Sequence, residues 1–174
     1  NMKNNIRLIA VLLGLMSPVT FATTYTIDVQ VTSQINQSLL AITQKLEMRF
    51  PELTIAGDTQ IGSACIANGF QNNYLEGTTT YTSNGNSLCP RLAGSSASFE
   101  LIGLPNSNVL VKAFAPEQVK NGLSFTINDL ETVEVLNSSG AFRHSIVGRI
   151  TLIDPAATTT GLLSFNYDFE AYYQ

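Results

Sequence analysis

Apolar and polar residues alternate over short stretches of this chain, which is the two-residue period of β-strands. Tyr25, Ile27, Val29 and Val31 fall on one face, with Thr26, Asp28, Gln30 and Thr32 on the other. The spacing predicts one or two helical turns over Gln37 to Lys45. A strand over Lys45 to Phe50 follows, where Leu46, Met48 and Phe50 sit two apart and Pro51 stops the run. Further strands are predicted at Ser98 to Ile102, Val109 to Phe114, Phe125 to Ile127, Thr132 to Val135 and Ser145 to Ile153. In the last of these, Ile146, Gly148, Ile150 and Leu152 share a face. Turns are expected at Pro105 to Asn108, Ser138 to Gly140 and Asp154 to Ala156.

The most regular segment is the last one. Leu163, Phe165, Tyr167, Phe169, Ala171 and Tyr173 line one face of a long strand. Leu162, Ser164, Asn166, Asp168, Glu170 and Tyr172 line the other. Such strict alternation predicts a strand buried on one side. Many short strands, no helix pattern beyond two turns and no repeat predict one all-β sandwich or barrel.

The N-terminus changes the compartment. Lys3 and Arg7 flank a short basic start, Leu8 to Met16 is an uncharged apolar run, and Thr20-Phe21-Ala22 has the form of a cleavage site. These are the three regions of a secretory signal peptide. The run is about nine residues, well short of the roughly 20 that span a bilayer. Residues 1–22 are therefore set aside as a signal. An N-terminal extension at 23–36 and a domain at 37–174 follow. Export also decides the cysteines: Cys65 and Cys89 are the only two, and an isolated pair in an oxidising compartment is expected to form one disulfide. The Asn-, Gly- and Thr-rich stretch between them reads as an excursion held at its base.

The formal charge is −4 with no Lys/Arg cluster, so nothing favours nucleic acid. Catalytic groups are sparse. His144 is the only histidine, between Arg143 and Ser145, and a residue beside a strand is the plainer account of it. Glu47, Glu52, Asp58 and Glu100 show no glycosidase spacing. Asp129 and Glu131 fit a solvated strand face. No nucleophile elbow, phosphate loop or calcium loop is present. No cofactor, metal or enzymatic activity is expected.

The termini carry a resemblance. Gly161 stands fourteenth from the end and Tyr173 is penultimate, with alternation between them; this resembles the C-terminal strand of chaperone–usher pilus subunits. The alternating Tyr25, Ile27, Val29, Val31 and Ile35 are similar to the N-terminal extension such pilins donate to a neighbour. Three middle blocks, Leu46 to Leu53, Phe99 to Pro105 and Gly148 to Leu152, are similar to a family of secreted bacterial pilin-like domains, with Pro51 where that family has Gly.

The resemblance implies an incomplete immunoglobulin-like β-sandwich completed by a donated N-terminal strand. It implies a fimbrial subunit exported through the periplasm to the cell surface. The implied partners are neighbouring copies, a periplasmic chaperone, an outer-membrane usher and a host or abiotic surface. The C-terminal residues Gly161, Leu163, Phe165, Tyr167, Phe169, Ala171 and Tyr173 would contact chaperone and subunit. The alternative left open by the residues is that Tyr25 to Val31 is the domain's own first strand. The alternative function is an exported adhesin that takes a glycan or protein on the loop from Gly69 to Gly85, with Asn72, Asn73, Tyr74 and Tyr81 as the candidate sugar contacts. A secreted enzyme is the third reading.

Overall fold

A computed structural model of the chain describes residues 22–35, 39–67, 87–89, 94–128 and 130–174. Residues 1–21 of the expected signal peptide lie outside these residues. So do the Gly69–Gly85 loop and its candidate sugar contacts.

Twelve strands make up the described fold: β1 (Thr23–Ile35), β2 (Ala41–Leu46), β3 (Leu53–Ile55), β4 (Ala64–Ala67), β5 (Ala97–Ile102), β6 (Asn108–Phe114), β7 (Gln118–Lys120), β8 (Leu123–Ile127), β9 (Leu130–Val135), β10 (Ala141–Ile146), β11 (Gly148–Leu152) and β12 (Gly161–Tyr173). A single 3-10 turn, Pro155–Ala157, precedes β12, capped by the Asp154 carboxylate on the Ala156 amide. The chain is all-β, as its alternation predicts.

One layer is a five-stranded sheet in the order β3-β1-β12-β6-β9. Two smaller sheets, β10-β5-β2 and β4-β11-β8-β7, oppose it. Only Val147 separates β10 from β11. The break falls where Asn128 takes over the backbone: its side-chain oxygen accepts from the Val147 amide and its own amide donates to the Val147 carbonyl. Ile146, Gly148, Ile150 and Leu152 nevertheless share the buried face expected of them.

β12 is the spine of the core. Its Phe169 stacks on Phe99 of β5 with centroids 4.1 Å apart, and its Phe165 stacks on Phe125 of β8 at 5.3 Å. One strand thus holds both smaller sheets. Leu163, Phe165, Tyr167, Phe169 and Ala171 are all buried. Tyr173 crosses the sandwich at the end: its hydroxyl accepts from the Leu104 amide at 2.7 Å and donates to the Leu39 carbonyl. A Cβ at Gly103 would lie 2.2 Å from that oxygen, so the glycine leaves room for the tyrosine.

Two local expectations are corrected. Gln37 to Lys45 holds no helical turn in its described part; Ala41–Leu46 is a strand. The strand expected over Lys45 to Phe50 ends at Leu46, after a bulge between Gln44 and Leu46. Beyond Leu46 the strand's two-residue period no longer holds, and Leu46 is exposed while Met48 and Phe50 are buried.

The disulfide between Cys65 and Cys89 is formed, with both residues fully buried. It ties β4 to the segment whose Leu88 carbonyl accepts from Thr54. A closed loop of this size contributes about 3 kcal/mol in the chain-entropy treatment.

Phe169→Ala should lower stability by roughly 3–5 kcal/mol in urea unfolding, because the ring is fully buried and stacked.

Candidate functional site

Strict alternation makes β1 and β12 the two longest strands, and the fold sets them side by side. They pair in parallel from Tyr25 opposite Gly161 to Ile35 opposite Ala171. β1 is therefore the chain's own strand beside β12, in cis. Tyr25 and Ile27 are buried, and Val29 and Val31 pack against the core from partly buried positions. The side chain of Ile35 lies outside the described set.

Tyr25 anchors the start of β1. Its hydroxyl accepts from the Thr159 amide at 2.7 Å and donates to the Asn121 carbonyl at 3.4 Å. Asn121 has φ 46 and is followed by Gly122 at φ 74, a turn of left-handed residues between β7 and β8. The Asn121 side chain also donates to the Thr159 hydroxyl at 2.9 Å. The anchor thus joins β1, the β7–β8 turn and the entry to β12. Burial pushes the Tyr25 phenol above its ordinary pKa, partly offset by the Thr159 amide.

The two flanks of β12 differ. β6 pairs only with Asp168 to Tyr173. Nearer Gly161, side chains of β7 supply the bonds instead: Gln118 donates to the Asn166 carbonyl at 2.6 Å and accepts from its amide at 2.9 Å, and Lys120 donates to the Ser164 carbonyl. That satisfies backbone groups that would otherwise lack partners. On the other flank β1 runs along almost the whole of β12.

Beyond Tyr25 the far edge of β1 has no strand partner among the described residues, because β3 covers only Thr23 to Tyr25. A cleft of about 620 Å³ opens there. Ile27, Asp28, Val29, Gln30 and Val31 form one wall, with Gln44 and the stretch from Glu47 to Phe50 opposite. Arg49 and Glu47 form an exposed ion pair at 2.9 Å on that side.

Other chemistry is thin. His144 is half-buried and stacks on Phe142, with centroids 6.2 Å apart. Burial holds its pKa down, partly offset by the Glu134 carboxylate. Glu100 sits between Lys45 and Arg143, and the Lys45 hydrogen bond is the main cause of its lowered pKa. Among the described residues no three His, Cys, Asp or Glu side chains are grouped to hold a metal. No helix of the described residues is long and apolar enough to cross a membrane.

The candidate residues from the two termini are thus brought together in one place. The Tyr25 anchor and the β7 side-chain ladder were not foreseen. Asn121-Gly122 is a sequence signal for the turn behind that anchor, but nothing in the sequence links it to Tyr25. No family model matches the chain, and no curated protein compared with it matches.

Tyr25→Phe should cost about 1 kcal/mol by removing the hydroxyl to which the Thr159 amide donates. Amide hydrogen exchange should speed up in 23–35 more than in β6.

A second expectation concerns alkaline pH. Burial raises the phenols of both Tyr25 and Tyr167, and the buried Tyr167 hydroxyl has no hydrogen-bond partner among the described groups. Unfolded tyrosines lose protons near pH 10, while these two keep theirs in the fold. The unfolded state then binds fewer protons, so stability falls as pH rises above about 10. Tyr167→Phe should reduce that fall.

Proposed function

We propose that this protein is a structural subunit of a bacterial surface filament and assembles by strand exchange. The observation that carries the reading is the placement of β1. It is a strand of thirteen residues, Thr23–Ile35, and it pairs mainly with one neighbour. It lies at the N-terminal end of the described fold, so it can leave without unthreading any other strand. Its removal would uncover Phe165, Tyr167 and Phe169 along one flank and expose the backbone of β12. The same site on another copy offers an equivalent place for it.

On this reading the cis arrangement is the unassembled form. In the filament, β1 of one subunit fills the place beside β12 of the next. Its alternating side chains set the register, since a one-residue slip would turn every apolar residue outward. Such a groove, left uncovered, would invite aggregation. That requirement supports a periplasmic chaperone and an outer-membrane usher as partners, and export to the cell surface as the destination. The resemblance of the Gly161–Tyr173 strand to pilin C-termini supports the same class. The sparse catalytic groups favour a structural role over an enzymatic one.

Deleting residues 23–35 should give a chain that binds a synthetic peptide of that sequence and becomes resistant to SDS in the complex. The intact chain, concentrated after gentle heating, should form SDS-resistant ladders. A truncated chain that is indifferent to the peptide, with an intact chain that never ladders, would refute the proposal.

A further inference from the structure

Sheet edges are where β-proteins join or avoid joining, and the described edges here are not alike. β9 carries Glu131 and Glu134. β10 carries Arg143 and His144. β2 carries Lys45 and is bulged. β3, β4 and β7 are only three or four residues long. Charge, bulges and shortness are the usual devices that stop strand edges from pairing with other molecules.

The outer edge of β1 has almost none of these devices. From Thr26 to Ile35 it holds one charge, Asp28, and no Lys, Arg, Pro or Gly. Its neighbour on that side, β3, stops at Tyr25. Val29 and Val31 are only partly buried and line the adjacent cleft with Met48 and Phe50.

We propose that this edge pairs antiparallel with the same edge of a second copy, with β1 remaining in its own sheet. The arrangement is a two-fold one, in which the same surface meets itself. With Val31 at the axis, Asp28 lies opposite Gln34 and Gln30 lies opposite Thr32. Each carboxylate meets an amide, and no like charges face each other. Pairing instead with β9 of another copy would set Asp28 on an edge that already carries Glu131 and Glu134. The self-match in charge is what selects a second copy as the occupant. Val29 and Val31 of both chains are covered, and the two five-stranded sheets become one continuous sheet.

This inference is independent of strand exchange, because no strand leaves its own chain. The two are separated by detergent: an edge-paired dimer dissociates in SDS, while an exchanged strand does not.

The test is sedimentation equilibrium of the chain from residue 23 onward. The wild type should show a concentration-dependent dimer that is lost in SDS. Gln30→Lys with Thr32→Lys places four cations around the axis and should weaken the dimer by about tenfold or more. Gln30→Glu with Thr32→Glu should weaken it likewise, and mixing the two variants should restore association. Both positions are exposed, so thermal unfolding of the variants serves to check that β1 stays docked. A wild type that remains monomeric would overturn the proposal, and so would a dimer unaffected by both variants.

Discussion

The fold depends on a parallel pairing between its two ends. Asp28 and Ser164 are register neighbours that hydrogen-bond through their side chains, although 136 residues separate them in the chain. Parallel neighbours cannot be joined by a hairpin, and here nearly the whole domain forms the connection. The entropy of closing so long a loop must be met before the pairing returns anything. The β12–β6, β6–β9 and β8–β11 ladders contain no residue of β1. β1 is therefore the natural last strand to dock and the first to leave.

That order explains how the rest is built. β12 draws stability from both smaller sheets through Phe165 and Phe169, and from β6 and the β7 side chains on its other flank. None of these contacts involves β1. β1 has less support: a ladder to β12, a short pairing with β3 and the Tyr25 anchor. A strand with one long ladder and one anchor is suited to exchange, as the proposed filament requires. The anchor also gives the cis form a defined register, because Tyr25 fits only where Thr159 and Asn121 meet it.

Much of this architecture was legible in the sequence. Leu163 to Tyr173 alternates because one face is buried, and that face is the one the alternation marks. The same holds for Tyr25 and Ile27. Alternation specifies a face but not a partner, so neither the neighbour of β1 nor its parallel direction was readable. β3, β4 and β7 are too short to show a period. Thr43, Gln44 and Lys45 are all exposed in the edge strand β2, which hid its alternation and let the segment read as helical turns. The strand ends at Leu46, so the spacing of Leu46, Met48 and Phe50 did not mark one face: Leu46 is exposed and the other two are buried. The Cys65–Cys89 bridge was legible from the count of two cysteines and the expectation of export. The Tyr25 anchor was not, since its partners lie far away in the sequence and are backbone groups.

The most direct test of the central claim is a cysteine pair at Asp28→Cys and Ser164→Cys. The two positions face each other in the β1–β12 register and suit a disulfide if the strands lie as described. Mild oxidation of the monomer, followed by non-reducing electrophoresis and peptide mapping, reads the result. The account predicts a new bond within a single chain. Two free thiols in a monomer that keeps its Cys65–Cys89 bridge would contradict it.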